Sequence, residues 1–337
     1  MKERIHWIDI AKGIAIICVF LGHTITTENA VSSFIYFFHM PLFFMLSGYC
    51  FSAKREFVPF ILNKLKTIVL PIFTLGLTGA ILVALASIFI QHQSVDWKWI
   101  FLNPIVQYKE HSLLWYLASL FVAIIIFYVI VKFTKDKPVP IILISLGLGI
   151  ISYAIIKIFD ITLPWNILTS LVALTFIALG YLIKKCNFTD KLSRPWIILV
   201  SLALCVGAGY LNIRFFGGSE MHTQQFGNLL LFYVSAIAGC IMVMSFSAVV
   251  IKKSRVLEYF GKNTLIFYAL EPIQYFVNFA LKTINEMIHF TSSHLLSFAA
   301  TVIAVAVICL LSSAAAYIIN RFLPFLIGKP YNKKSPA

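Results

Sequence analysis

Charged residues are scarce in this chain of 337 residues. They make up 12% of it, whereas a soluble globular domain carries about 25%. Acidic side chains are the scarcest, with 13 Asp and Glu against 27 Lys and Arg, and 60% of all residues are hydrophobic. Apolar stretches near the length of a bilayer span recur throughout, so we predict an all-α integral membrane protein. A water-soluble Rossmann, barrel or sandwich fold is excluded.

Motifs of soluble enzymes and metal proteins are missing as well. The sequence has no Walker A loop, no HExxH and no CxxC pair. Six cysteines lie mostly inside apolar stretches, at Cys18, Cys50, Cys186, Cys205, Cys240 and Cys309. They predict neither a disulfide framework nor a zinc site, and we expect no metal. The longest polar interval, 91–112, is too short for a separate core, so residues 1–337 are predicted to form a single transmembrane domain without an appended soluble domain.

Ten apolar stretches are each long enough to cross ~30 Å of hydrocarbon. They are 8–26, 33–51, 67–90, 113–131, 139–156, 165–183, 195–213, 228–251, 264–281 and 295–319. A bundle of about ten helices places both termini on one side, and an inner N-terminus leaves few basic residues outside. Those few are Lys98, Lys109, Lys157, Arg214 and Lys282. Because Lys and Arg concentrate in cytoplasmic loops, we predict both termini inside. Positive charge spread over every inner loop argues for membrane lipids and against nucleic acid as a partner.

Ionisable residues within the first stretch are the next signal, because they are costly at membrane depth unless they are paired or hydrated. Lys12 and His23 lie roughly 20° apart around a helix axis and about 16 Å apart along it. Asp9 precedes Lys12 by one turn and can pair with it. The structural alternative is that Asp9 and Lys12 lie at the inner interface while His23 makes one hydrogen bond to a neighbouring helix. The imidazole of His23 is predicted near or beyond mid-membrane, and an ionisable group at that depth is a functional candidate.

The second stretch contains His39 two residues before Pro41, which removes a helical hydrogen bond and frees a carbonyl near residue 37. His39 is therefore a candidate site residue, or else a packed histidine bonded to that carbonyl. Ser47 and Gly48 allow close approach of another helix.

Four basic residues, Lys54, Arg55, Lys64 and Lys66, are assigned to the following inner loop. The positive-inside rule alone explains them; the alternative is a docking site for a polyanionic donor such as coenzyme A. Further along, Glu271 stands before a proline, where it could neutralise a cation or remain protonated.

Five motifs in order resemble the acyltransferase-3 family of membrane acyltransferases, especially its fucose 4-O-acetylase-like members. They are RIHWIDIAKGIAIICVFLGH, FFHMPLFFMLSGYCF, NKLKTIVLPIF, SLLWYLASLF and FIALGYLIKK. The resemblance runs from about residue 4 to about residue 320. It implies transfer of an acyl group, usually acetyl from cytosolic acetyl-CoA, to a hydroxyl of a cell-surface or lipid-linked carbohydrate. We therefore expect a multi-pass protein of a bacterial cytoplasmic membrane.

The resemblance also assigns residues. The family's first-span arginine corresponds to Lys12 and its histidine to His23; the first position of its RxxR motif corresponds to Lys64, and the second falls on Thr67 beside Lys66. The working hypothesis makes His23 the general base or acyl carrier and has His39 orient or polarise the thioester. Lys12, Lys64 and Lys66 would hold acetyl-CoA, and the acceptor step would use this domain or a separate extracytoplasmic partner.

Two other classes stay open from the residues alone. One is a transporter or exporter of a small solute or lipid-linked glycan, for which buried ionisable groups beside prolines are equally natural. The other is the membrane-bound O-acyltransferases, which also use a buried histidine. The acceptor, the acyl chain, the oligomeric state, the roles of Asp9 and Glu271, and whether an acyl-enzyme forms are left undetermined.

Overall fold

The computed structural model describes residues 5–24, 30–89, 92, 94–106, 114–188, 194–288 and 293–330. Within these ranges the chain is helical and contains no β-strand. The helices are α1 (His6–Thr24), α2 (Ala30–Tyr49), α3 (Phe57–Phe89), α4 (Trp97–Val106), α5 (Trp115–Phe133), α6 (Pro138–Phe159), α7 (Ile167–Lys185), α8 (Pro195–Phe216), α9 (Leu229–Phe246), α10 (Arg255–Lys262), α11 (Thr264–Ala269), α12 (Glu271–Ile288) and α13 (His294–Phe322). This confirms the prediction of an all-α integral membrane protein.

Nine helices in the described part of the chain are long and apolar enough to cross a membrane. They correspond to nine of the ten predicted stretches. The remaining stretch, 264–281, is divided into α11 and α12, which meet at Leu270. Pro272 explains the break, because a proline lacks the N–H that would continue the helical bonding and its ring crowds the preceding turn. The side of the membrane on which the termini lie stays a prediction.

Helix α3 begins ten residues earlier than the predicted stretch 67–90. The assignment of Lys64 and Lys66 to a loop was therefore wrong: both lie within α3, which contains π-helical turns at Leu65–Val69 and Ile72–Gly76. Polar residues end a hydropathy stretch but not a helix, since long lysine side chains can extend from a membrane helix to its interface. Of the four basic residues assigned to this loop, only Lys54 and Arg55 lie in the connection between α2 and α3.

Two glycines set a close contact between α2 and α7. A Cβ at Gly48 of α2 would overlap the carbonyl of Ile177 in α7, and a Cβ at Gly180 of α7 would overlap the carbonyl of Met45 in α2. This reciprocal contact confirms the predicted close approach at Gly48. Small residues let membrane helices approach until their backbones touch, which maximises packing where no hydrophobic force drives association. Helix α2 is thereby held between α1, α7 and α9.

Helices at the periphery carry exposed apolar side chains instead of charged ones. Leu143 in α6, Leu199 in α8 and Leu310 in α13 are among the most exposed of these side chains. A surface of this kind suits hydrocarbon contact. The polar groups that need an explanation therefore lie on the inner helices.

Candidate functional site

A cavity of about 70 Å³ lies among α1, α2, α5, α11, α12 and the segment between α8 and α9. Both predicted catalytic histidines line it, one from α1 and one from α2. The polar and aromatic side chains in its lining are Phe20, His23, Tyr36, His39, Trp115, Glu220, His222, Phe267, Tyr268 and Gln274. Side chains far apart in sequence therefore converge on one volume.

His39 is buried, with 4% of its surface exposed. Its Nδ1 lies 2.9 Å from the carbonyl oxygen of Ile35. Because a carbonyl can only accept, Nδ1 carries the proton in the neutral ring, and Nε2 keeps a lone pair. The bonded carbonyl belongs to Ile35 and not to Phe37, whose carbonyl Pro41 leaves without its helical partner. The hydrogen bond thus gives His39 the tautomer that a general base needs.

His23 lies in the last turn of α1 and is exposed. His23 was expected near or beyond mid-membrane, and its depth in the bilayer stays a prediction. Its position is nevertheless fixed by neighbouring helices. Asn278 of α12 donates to the carbonyl of His23 at 2.9 Å, and the Tyr36 hydroxyl donates to the carbonyl of Gly22 at 3.4 Å.

Gln274 brings α12 against the same end of α1. Its Nε2 donates to the carbonyl of Phe20 at 3.0 Å and lies 3.5 Å from the hydroxyl oxygen of Thr24. The break before α12 allows this approach. Glu271 begins α12, but its side chain lies outside the described part of the structure, so its role stays undetermined.

Glu220 and His222 were missed by the sequence argument, which considered polar residues only inside apolar stretches. The His222 ring stacks on Trp115 at a centroid distance of 5.3 Å and an interplanar angle of 23°. Thr223 donates to a Glu220 carboxylate oxygen at 2.9 Å, and the Glu220 amide donates to the carbonyl of Gln225 at 2.8 Å. The turn therefore has a fixed shape over the cavity.

Asn212 at the end of α8 anchors that turn. Its side-chain nitrogen donates to the carbonyls of Gly218 at 2.7 Å and Phe226 at 2.9 Å, and its oxygen accepts from the amide of Asn228 at 2.8 Å. Asn212 is fully buried. A buried amide with these bonds rigidifies the segment it joins, and it does so here for the cavity wall.

The predicted donor-binding residues lie apart from the cavity. Lys12 is partly buried on α1. Lys64 places its Nζ 5.5 Å from the centre of the Phe60 ring, and Lys66 is exposed, with its carbonyl against Gly328. None of these lysines lines the cavity. The structure thus brings the two histidines together but does not bring the three lysines to them.

A metal site is not formed by the cavity histidines. Within the described ranges, no three or more His, Cys, Asp or Glu side chains are grouped to hold an ion. The cavity instead brings imidazole and carboxylate groups around a small volume, and such groups suit proton transfer and hydrogen bonding.

Comparison with models of known protein families gives a match over most of the chain. The model of a family described as an acyltransferase domain, acyltransferase-3, matches residues 5–313. No curated protein and no solved structure matches the chain. The matched region contains every residue of the cavity.

Proposed function

The chain belongs to the acyltransferase-3 family and is a membrane acyltransferase, and we propose that it moves an acetyl group from cytosolic acetyl-CoA to a carbohydrate hydroxyl. The acceptor in this proposal is a cell-surface or lipid-linked glycan. The observation that carries it is the convergence of His23 and His39 on one cavity. The fucose 4-O-acetylase-like character and a bacterial cytoplasmic membrane belong to the same proposal.

His39 is the general base in this mechanism. Its Nε2 accepts the proton of the acceptor hydroxyl while the hydroxyl oxygen attacks the thioester carbonyl carbon. The carbon–sulfur bond then breaks, and the leaving thiolate takes up the proton to give CoA. Protons and electrons balance, and no acyl-enzyme is needed. The hydrogen bond from Nδ1 to Ile35 supports His39 over His23 for this step, because it holds the ring in the basic tautomer.

His23 stabilises the developing negative charge on the carbonyl oxygen. An imidazole N–H at the open end of the cavity can reach a substrate that spans the opening. The roles first predicted for the two histidines are thereby exchanged.

The acceptor is held beside Trp115, Glu220 and His222 in this proposal. An indole ring supplies apolar area, and the carboxylate and imidazole supply acceptors and donors for hydroxyl groups. A hydroxyl-rich ligand suits such a lining. A separate extracytoplasmic partner could deliver the glycan.

Lys12, Lys64 and Lys66 contribute positive charge on the donor side. Lys12 shares a helix face with His23 about 16 Å away, a span that a pantetheine arm can cover. The phosphates would then stay near the predicted inner interface while the thioester reaches the cavity. No metal has a part in the proposal.

The test is acetyl transfer by purified protein in lipid, with labelled acetyl-CoA and glycan acceptors. We expect release of CoA thiol and label in the glycan. The competing function, transport of a solute or lipid-linked glycan, predicts flux across the bilayer without thiol release. Absence of donor turnover with every acceptor, together with flux into vesicles, would reject the acetyl-CoA proposal. Comparing surface-glycan acetyl content in cells with and without the gene extends the test to the natural acceptor.

A further inference from the structure

A second concavity lies away from the histidine cavity and has a different character. We call it the lysine cleft; its volume is about 540 Å³, and its charged lining is Lys54, Lys132, Lys135, Lys184, Lys185 and Asp136. It is formed by the connection after α2, the α5–α6 turn and the end of α7. Ligand pockets typically occupy ~300–1,000 Å³. The cleft thus has the size of a ligand site, and the predicted topology places it on the inner face.

The charge of the cleft is not neutralised by its own lining. Five lysines face one aspartate. Asp136 pairs with Lys185 at 2.6 Å, and within the described ranges none of the other four lysines forms a salt bridge. Two of these four are aligned by aromatic rings: Lys132 lies 5.5 Å from the centre of the Tyr128 ring, and Lys184 lies 5.6 Å from that of Tyr49. A ring orients an ammonium group without removing its charge.

The wall of the cleft is held in an unfavourable backbone conformation. Lys135 and Asp136 have φ values of 51° and 62°, in the left-handed region that side-chain-bearing residues seldom adopt. Tyr181 donates to the Asp136 carboxylate at 2.6 Å, and Lys185 also bonds the Asp136 carbonyl. Backbone strain that neighbouring groups maintain in this way tends to occur at functional sites. The positive-inside rule accounts for lysines near this face, but not for a fixed turn that gathers them around one concavity.

We propose that the lysine cleft binds the phosphate groups of an anionic ligand. Several ammonium groups, each with three donors, match a ligand with more than one phosphate better than a single carboxylate. Two sources share this chemistry: the nucleotide end of the acyl-CoA donor, which rests on the proposed function, and a phospholipid headgroup, which does not. Tyr49, beside Lys184, lies ten residues after His39, about 15 Å along α2. A donor anchored in the cleft is therefore within a pantetheine arm's reach of the base.

The test compares two triple variants of the full chain in phosphatidylcholine nanodiscs. The cleft variant carries Lys54→Gln, Lys135→Gln and Lys184→Gln, one exposed residue from each of the three elements. The control variant carries Lys252→Gln, Lys253→Gln and Arg255→Gln, which are exposed at or just before the start of α10 on the predicted inner face and remove the same charge. Binding of adenosine 3′,5′-bisphosphate is measured by calorimetry. Retention of phosphatidylglycerol is measured by native mass spectrometry.

Weaker bisphosphate binding in the cleft variant, by about tenfold or more, with little change in the control supports the nucleotide source. Loss of phosphatidylglycerol from the cleft variant alone, without bisphosphate binding by any form, supports the lipid source. Equal behaviour of the two variants on both probes, or no binding of either probe by the wild-type protein, overturns the proposal.

Measuring thiol release distinguishes failure of the cleft proposal from failure of the proposed function. With the nucleotide source, the cleft variant raises the KM for acetyl-CoA and leaves kcat unchanged. If the wild-type protein releases no thiol at all, the proposed function fails, while the two binding measurements still decide the cleft. Matching elution of all three forms in size-exclusion chromatography shows that the variants fold.

Discussion

At the residue scale, one hydrogen bond distinguishes the two histidines of the cavity. His39 bonds Ile35 through Nδ1 inside α2, while His23 lies exposed at the end of α1. A base must accept a proton at one nitrogen, and its orientation depends on what the other nitrogen does. We therefore expect substitutions of the two histidines to affect acetyl transfer differently.

Replacing His39 by Gln is expected to lower kcat for acetyl transfer by about 10²–10⁴-fold, the usual contribution of a general base. Glutamine keeps a polar side chain but cannot take up the proton. The measurement is CoA thiol release, with protein level in the membrane as the check on folding. Met40→Leu, another residue of the cavity lining, is the control and should remain active. Near-normal activity of His39→Gln together with an inactive His23→Ala would assign the base to His23.

The charge and shape of the side chain at position 12 are expected to affect the binding of acetyl-CoA. Lys12→Arg should retain or improve activity, because a guanidinium keeps the charge and adds a two-pronged grip on phosphate. Lys12→Gln should raise the KM for acetyl-CoA, and added salt should affect the variant less than the wild type. Steady-state kinetics at two ionic strengths check both statements. Equal donor KM values for the glutamine variant and the wild type would remove Lys12 from donor binding.

The sequence could predict His23 and His39 because an ionisable group in an apolar stretch is an exception visible without coordinates. Glu220 and His222 could not be found that way, since they lie in a polar turn where such residues are ordinary. Their place at the cavity depends on Asn212 and on stacking against Trp115, both of which are tertiary contacts. Histidines inside apolar helices could be predicted, whereas the ionisable side chains delivered by the turn could not.

At the element scale, the crossing of α2 and α7 controls where His39 is held. Gly180→Ala should destabilise the protein by about 1–3 kcal/mol, the usual cost of overpacking, because the added methyl would overlap the Met45 carbonyl. Gly147→Ala is the matched control: no atom lies within 4 Å of its Cβ position, and alanine favours the helix. Thermal unfolding in detergent measures both. Equal unfolding temperatures for the two variants would show that the helices separate at little cost.

The hydrogen bonds of Asp136 in the α5–α6 turn make a contribution to stability that depends on pH. Burial alone would raise the pKa of Asp136, but the hydrogen bonds from Lys185 and Tyr181 outweigh it and hold the pKa below its ordinary value. A lowered folded-state pKa contributes stability above the ordinary carboxyl pKa of about 4, and that contribution is lost as the pH falls through the folded value. The stability difference between wild type and Asp136→Asn should therefore be constant near neutral pH and shrink below about pH 4.

Thermal unfolding across a pH series checks this, with Asp160→Asn as the control for removing an exposed aspartate elsewhere. A wild-type advantage over Asp136→Asn that persists unchanged to pH 3 would contradict the assigned hydrogen bonds. The tyrosine and lysine partners remain in the variant, so the comparison isolates the carboxylate.

Element boundaries were predictable only where polarity and helix ends coincide. Hydropathy placed the start of the third stretch after Lys64 and Lys66, yet the helix contains both, because lysine costs little in a helix near an interface. In the stretch 264–281 the apolar run hides a break that the proline next to Glu271 causes. Hydropathy records which residues tolerate hydrocarbon, and backbone bonding decides where a helix begins and ends.

At the scale of the whole molecule, two native cysteines test the predicted orientation. Cys50 and Cys186 are exposed and follow α2 and α7 at the predicted inner face. A membrane-impermeant maleimide should label them in inverted vesicles and not in intact cells. The variant lacking both, with Asp160→Cys added in the α6–α7 connection, should show the opposite pattern. Labelling of Cys186 from outside would reverse the topology and place the lysine cleft on the outer face.

The contacts between α1 and α12 also have a consequence for biosynthesis. The last carbonyls of α1, at Phe20 and His23, accept from Gln274 and Asn278, which lie more than 250 residues later in the chain. A growing chain emerges N-terminus first, so His23 reaches the membrane long before the helix that fixes its position exists. Helix α2 can acquire its glycine contact with α7 earlier, because Gly180 is made well before Gln274. During synthesis the proposed base, His39, is therefore placed before the cavity around it is complete, and we expect the enzyme to become competent only when the final fifth of the chain has been inserted.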